Sequence, residues 1–391
     1  MAERMALTGN DAGAHALRQL NPDVVAAFPI TPQTDMMHTF AGYVADGEVD
    51  TEFVRVESEH SAMSAIVGAS LSGARSCTAT SSAGLGLMWE ILYVAASCRC
   101  PLLMPVVNRA LSAPINIHCD HSDSMGARDA GWIQLYAENC QEAYDNAIQA
   151  VRVAEHPDVR LPTMVPLDGF ILSHTMEGLE VNDDADVQEF VGDYEPEGSL
   201  LNVEDPETFG MFALPNYYYE FKKQQVDAMQ NALDVIKQVG EEYGEMTGRS
   251  YGLVEGYRTD DADVVLTGLG STMGTAKQAA DDLRKDEGIK AGVAKIRCFR
   301  PFPTDALNEV LDGSSIIGVM DRSVSFGLGG PLFHEIRSHR YGSDIPMKNF
   351  IYGLGGRDLS LDEAKDIFRK LAEADASGEL GPELEYLQVR E

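Results

Sequence analysis

From Ala6 to about Leu172, short apolar runs alternate with longer stretches rich in small and polar residues. Val24-Val25-Ala26-Ala27-Phe28, Phe53 to Val56, Ser76 to Ala79, Leu102 to Val107 and Leu161 to Leu167 read as strands. Near-continuous apolar runs of this length fit strands covered on both faces. Between them lie helical segments dense in small residues, such as Ala62, Ala65, Gly68, Ala69, Leu71 and Gly73. The alternation predicts an α/β fold, an open parallel sheet with helices on both faces. Ligands of such sheets sit at the carboxyl ends of the strands. The loops at 29–34, 57–60, 81–86 and 108–125 all follow predicted strands and are the candidate site.

Farther along, Glu177 to Pro206 turns acidic and reads as an exposed, strand-poor connector. Tyr217-Tyr218-Tyr219 follows and suggests packing. Val226, Met229, Leu233, Ile236, Val239 and Tyr243 recur at helical spacing, predicting a long amphipathic helix that ends near Gly244. A second sheet domain starts at Ala262, with strands at Asp263 to Thr267, Ala291 to Ile296 and Ile316 to Met320. The Gly268-Leu269-Gly270-Ser271-Thr272 turn before its first helix lacks both GxGxxG and a P-loop lysine, so it is a weak nucleotide signal. The predicted domains are 1–245, including the connector and long helix, and 246–391. Residues from Ser377 onward read as an acidic tail.

Composition narrows the function. At 391 residues with 44% hydrophobic content, the chain has the makings of a globular protein. It has no apolar run of membrane-spanning length, and Glu3 and Asp11 interrupt any signal-peptide pattern, so a cytoplasmic protein without membrane contact is expected. The formal charge of −32 argues against nucleic-acid binding. The six cysteines show no iron–sulfur or zinc spacing and read as buried free thiols, with no metal site on this chain.

Glu59 carries the clearest chemistry. It stands where the strand ending at Val56 gives way to the small-residue helix. A carboxylate there can be held against a flat heterocycle and tuned by burial and by the helix N-terminus. The alternative is an ordinary acidic residue favoured by the helix dipole.

Several strings, in their order and spacing, resemble one family. They are Phe28-Pro29-Ile30-Thr31-Pro32, Ser58-Glu59-His60-Ser61-Ala62, Asn108-Arg109-Ala110, Asp120-His121-Ser122-Asp123, Gly131-Trp132-Ile133-Gln134, Asp168-Gly169-Phe170, Phe299-Arg300-Pro301-Phe302-Pro303 and Tyr352-Gly353-Leu354-Gly355-Gly356-Arg357-Asp358. Across essentially the whole chain these resemble the 2-oxoacid:ferredoxin oxidoreductases, most closely the alpha subunit of the multi-subunit pyruvate:ferredoxin oxidoreductase (pyruvate synthase) type. The resemblance implies a pyrimidine-type thiamine-diphosphate-binding domain followed by a transketolase C-terminal-like domain devoted to assembly. No Gly-Asp-Gly occurs in the chain, so another subunit is expected to bring the diphosphate site, the magnesium and the [4Fe-4S] clusters.

The resemblance also implies site roles. Glu59 would bond N1′ of the aminopyrimidine and promote loss of the thiazolium C2 proton, with Pro29 and Ile30 against the cofactor. Arg109 would pair with the substrate carboxylate in a fork, and Thr31 would bond the substrate. Asn108, Asp120, His121 and Asp123 would line the cleft or an interface, although a capped helix start reads equally well there. Position 28 is Phe where the signature commonly has Tyr, and His60 stands where Ala or Gly is common. The implied reaction converts pyruvate, CoA and oxidised ferredoxin to acetyl-CoA, CO2 and reduced ferredoxin, or runs in reverse. Implied partners are beta, gamma and delta-type subunits in a dimer of heteromers, with ferredoxin reached through them. The alternatives are a paralogue acting on 2-oxoglutarate, a branched-chain 2-oxoacid or oxalate, and a scaffold subunit with a degenerate site.

Overall fold

The computed structural model describes residues 3–390. The predicted strands form five consecutive strands, out to one edge, of a seven-stranded sheet. Its order is Cys298–Arg300, Ile133–Leu135, Thr163–Asp168, Leu103–Asn108, Ser76–Cys77, Val24–Ala27 and Glu52–Arg55. All neighbours are parallel except the first pair. Leu103–Asn108 and Thr163–Asp168 are buried along their whole length, which is why they read as unbroken apolar runs.

Two cores cover the two faces of this sheet. One packs the helices Gly9–Leu20, Thr34–Ala45 and Cys140–Glu155 against Val25, Leu103, Val107, Val165 and Leu167. The other packs Glu59–Leu71 and Trp89–Ser97 against Ala26, Met104, Val106 and Met164. The chain therefore leaves Val24–Ala27 toward one face and Glu52–Arg55 toward the other. This makes a topological switch point beside Val24–Ala27, where open sheets form a crevice.

Three stretches differ from the sequence expectation. The acidic segment after Glu177 begins with order: Met176–Val181 pairs antiparallel with Glu3–Thr8, and the helix Asp184–Val191 follows. Leu179, Val181, Val187 and Phe190 are buried while the acids between them face water. The long stretch without helix or strand here is 192–217. The tail is likewise not free: Leu384–Tyr386 adds a parallel strand beside Met347–Ile351. The three tyrosines are exposed rather than packed, at 63%, 56% and 77%.

The long helix runs Tyr218–Thr247 and ends on Gly248, whose φ of +77° suits glycine at a helix C-terminus. Its Tyr243 hydroxyl and the Arg249 guanidinium both bond the buried Asp145 on the neighbouring helix. The second sheet has the order Leu384–Tyr386, Met347–Ile351, Ile316–Asp321, Val264–Gly268, Ala291–Ile296 and Val254–Tyr257, parallel except at the last strand.

The two sheets are tied together by chain and by charge. Cys298–Arg300 leaves the second sheet and becomes the antiparallel edge of the first. Lys295, almost fully buried, bonds Glu142 and lies 3.0 Å from Glu138, both in the first half of the chain. Asp168, at the end of its strand, accepts from His121 at 2.7 Å and from Arg322 at 3.0 Å, and from the Ser271 hydroxyl. Burial opposes ionisation of Asp168, but His121, Arg322 and Ser271 outweigh it and hold its carboxyl far below the usual range. All six cysteines are unpaired, and all but Cys98 are buried. Among the described residues, no helix is long and apolar enough to cross a membrane.

Asp168→Asn keeps the shape but leaves Arg322 as a buried charge without its counter-ion. It should cost about 3–5 kcal/mol, read as a fall in the unfolding midpoint. Asp184→Asn, which breaks a more exposed pair with Arg18, should cost less than about 1 kcal/mol. Because the Asp168 value is depressed on folding, its contribution is complete above the ordinary value of 3.8 and is lost as pH falls toward the folded value. Equal losses in the two variants would contradict the assignment.

Candidate active site

The loops that leave the carboxyl ends of Val24–Ala27, Glu52–Arg55, Ser76–Cys77 and Leu103–Asn108 converge at the switch point. Gln33, fully buried, ties two of them by donating to the Ala79 carbonyl at 3.1 Å. Thr78 donates to the Ala26 carbonyl at 2.7 Å. Asn10 donates to the Pro32 carbonyl at 2.9 Å. The proline-bracketed turn is thus fixed from both sides.

Glu59 is the first residue of the helix Glu59–Leu71, capped by the Ser58 hydroxyl, which accepts from the Ser61 amide at 3.2 Å. The residue is 6% exposed. Among the described residues its carboxylate has no hydrogen bond or ion pair. Burying a carboxylate without a partner is costly, so this position calls for one from outside the chain. The wall opposite is Gly84: a methyl there would stand 2.7 Å from Glu59 Oε1 and 2.5 Å from Thr80 Oγ1. Thr80 Oγ1 and Ser81 Oγ are themselves buried with no partner. A buried acid, a glycine surface beside it and two orphaned hydroxyls fit the flat, polar-edged heterocycle expected from the sequence.

Arg109 and Thr31 meet. The Arg109 guanidinium donates through Nη1 to the Thr31 carbonyl at 2.9 Å and through Nε to the Asn116 carbonyl at 3.1 Å. Pro29 and Thr31 are exposed and Ile30 is half-buried, all in the same turn. Asn108 and Asp123 lie beneath this surface. The Asp123 carboxylate accepts from the Asn108 side chain at 2.8 Å and from three amides, those of Ser124 at 2.8 Å, Ser82 at 2.9 Å and Arg109 at 3.0 Å. Burial pushes its pKa up to about 6, against the pull of those four N–H donors. Ser82 is held with φ at +45°, a conformation that costs a non-glycine residue energy, by this bond and by its own hydroxyl on the Ala110 carbonyl.

Asp120 and His121 sit elsewhere. Asp120 caps Ser122 and reaches the Gly355 amide of the second domain at 3.3 Å. His121 is buried on Asp168. Cys119, His121 and Asp168 place one ligand atom each within 4.8 Å of one another, but Arg322 already neutralises Asp168. His60 faces Glu90 on the surface at 3.0 Å.

Thr80, Gln33 and Asn116 were not singled out from sequence. The Thr78 to Ser82 run of hydroxyls after a very short strand was the available signal for the first.

Comparison with known proteins gives the family of the chain. The family model described as pyruvate flavodoxin/ferredoxin oxidoreductase, thiamine diphosphate-binding, matches residues 15–241, and the pyruvate:ferredoxin oxidoreductase core domain II matches 262–364. The pyruvate synthase subunit PorA of Thermotoga maritima is 53% identical, with 100% of this chain and 99% of the relative aligned. That of Methanocaldococcus jannaschii is 47% identical over 96% of each chain. The ketoisovalerate oxidoreductase subunit VorA of Pyrococcus abyssi is 45% identical over 98% of this chain and 97% of its own. Among solved structures, a 2-oxoglutarate:ferredoxin oxidoreductase from Magnetococcus marinus superposes with a TM-score of 0.75 at 20% identity, over 94% of this chain and 65% of that one. A split-gene transketolase superposes at 0.54 with 13% identity, over 94% of this chain and 99% of that one. Carrying the matched thiamine diphosphate-binding domain and aligning end to end with these subunits, the chain belongs to the pyruvate flavodoxin/ferredoxin oxidoreductase family.

Proposed function

We propose that this chain is the alpha subunit of a pyruvate:ferredoxin oxidoreductase, supplying the aminopyrimidine side of a thiamine diphosphate site and the carboxylate clamp for the 2-oxoacid. The observation that carries this reading is Glu59, buried without a protein partner beside Gly84, Thr80 and Ser81. Thiamine diphosphate supplies the carbanion equivalent that decarboxylates the 2-oxoacid. The chain's part is position and proton control. Glu59 holds a proton at N1′ of the aminopyrimidine, in a surround that keeps water from competing for it. Pro29 and Ile30 bear on the ring from the neighbouring turn. Arg109 receives the substrate carboxylate, and Thr31, held at 2.9 Å by the same guanidinium, lies beside it. The chain lacks a Gly-Asp-Gly diphosphate motif and cluster-spaced cysteines. A partner subunit would then complete the cofactor site with magnesium, and [4Fe-4S] clusters on partner subunits would supply the electron path to ferredoxin, with CoA as the acetyl acceptor. The expected assembly is heteromeric and cytoplasmic.

A monocarboxylate fits best, since Arg109 is the cleft cation identified in these loops and Thr31 is short and neutral. The ketoisovalerate relatives keep a branched-chain substrate as the competing reading.

Glu59→Gln should assemble and bind cofactor but lose at least about a hundredfold in C2 proton exchange, the scale of general acid–base catalysis. NMR of bound cofactor reads this directly, and exchange at the wild-type rate would remove Glu59 from the chemistry.

Arg109→Lys exchanges a planar fork for a point charge. It should raise KM for pyruvate more than it lowers kcat in steady-state assays of the complex.

Across pyruvate, 2-oxobutyrate, 2-oxoisovalerate, 2-oxoglutarate and oxalate, kcat/KM should be highest for pyruvate. Pocket size alone discriminates by about 1–3 kcal/mol per methylene, so slow 2-oxobutyrate turnover is expected. A preference for 2-oxoisovalerate would move the chain to the branched-chain branch, and a preference for a dicarboxylate would overturn the substrate assignment.

A further inference from the structure

The glycine-rich turn at 353–356 belongs to the second domain, far in sequence from every residue assigned to the site. The loop it touches carries the carboxylate clamp. Residues 111–117 run along the surface, with Leu111 40% exposed, Ile115 80% and Ile117 41%. Apolar packing within the chain therefore does little to fix this loop. Hydrogen bonds do. Arg109 Nε donates to the Asn116 carbonyl at 3.1 Å. The Asn116 side chain donates in turn to the Gly355 carbonyl at 2.9 Å. The Gly355 amide returns a bond to Asp120 at 3.3 Å, and the His121 amide donates to the Arg322 carbonyl at 2.8 Å. Arg322 also donates to the Gly353 carbonyl at 3.4 Å, so the turn rests on the guanidinium that Asp168 anchors.

The glycines are what allow this approach. Gly353, Gly355 and Gly356 have φ of +64°, +64° and +82°, backbone that side chains disfavour. A methyl at Gly355 would overlap the Asn116 side-chain nitrogen, and one at Gly356 would overlap the His118 Cβ.

We propose that the 353–356 turn is a positioning element for the substrate: through Asn116 it sets where the Arg109 guanidinium points, and so the affinity for the 2-oxoacid carboxylate. The second domain then contributes to substrate binding without touching substrate. This rests on the reading of Arg109 as the carboxylate clamp. It separates that function from Glu59, whose helix shares no hydrogen bond with the turn among the described residues.

The test uses the assembled complex carrying Gly355→Ala, Asn116→Ala, both together, or Arg109→Ala. Displacing an oriented clamp should raise KM for pyruvate roughly tenfold in each of the first two. KM for CoA and the C2 proton exchange of bound cofactor should stay at their wild-type values. The double variant should cost no more than the worse single one, because both cut the same path. A merely structural defect would instead slow C2 exchange and raise the KM for CoA along with that for pyruvate, and that outcome overturns the proposal. Should Gly355→Ala fail to assemble, Asn116→Ala, a truncation in a half-buried surface loop, carries the test alone. If Arg109→Ala raises the pyruvate KM while assembled Asn116→Ala and Gly355→Ala leave it unchanged, the positioning role is wrong and the clamp survives. If Arg109→Ala itself leaves it unchanged, the clamp fails and the proposal with it.

Discussion

Asp168 ends a strand of the first sheet, and two of the three side chains that bond it, the Arg322 guanidinium and the Ser271 hydroxyl, come from the second. A carboxylate this deeply buried cannot stay charged without them, and Arg322 cannot stay buried without it. Charge compensation therefore joins the two sheets alongside an apolar core that holds Met125 and Tyr136 with Leu269, Ile296 and Phe299. Lys295 among Glu138 and Glu142 repeats the arrangement along the same junction, and Arg297 crosses it on the neutral Asn146 and Gln149 side chains. Such pairs add little net stability compared with apolar packing, but they tolerate only one geometry. The functional loops lie against that junction. His121 spans it directly, and the loop holding Arg109 hangs between the first sheet and the turn that rests on Arg322.

The site divides into two parts with different supports. Glu59 is placed by its own helix and by the small-residue wall at Gly84, both within the first sheet's layers. Among the described residues the carboxylate is left without a protein partner, which supports the proposal that a cofactor and a second subunit complete the site. Arg109 is placed by Asp123 from below and by Asn116 from beside. In the proposed function one half would handle a proton and the other a substrate charge, and the two meet at Asp123, which accepts from both Ser82 and Arg109.

Much of this was legible in the sequence. Strands buried on both faces announce themselves as unbroken apolar runs, and those at 102–107 and 161–167 lie close to where the runs predicted them. Glu59 stood out because it follows a strand at its carboxyl end, and Arg109 and Thr31 through the family resemblance of the strings that hold them. Other features were hidden for physical reasons. Leu179 and Val181 alternate within an acidic stretch whose composition masks a strand with one wet face. Leu384–Tyr386 needs only three residues to pair, too few to show a period. Cys298–Arg300 crosses to the other sheet, a choice made by long-range packing. The Asp123 hub is invisible to pattern reading because three of its four donors are backbone amides, which every residue carries. The glycines at 353–356 were visible, but their reason lies in the Asn116 and His118 side chains more than two hundred positions earlier.

The most direct measurement is a structure of the assembled complex with thiamine diphosphate bound. The account predicts the Glu59 carboxylate within hydrogen-bond distance, about 2.7–3.2 Å, of N1′ of the aminopyrimidine, with Gly84 against the ring and the diphosphate held by a different subunit. An aminopyrimidine bonded to another carboxylate, with Glu59 turned to a protein partner, would contradict it.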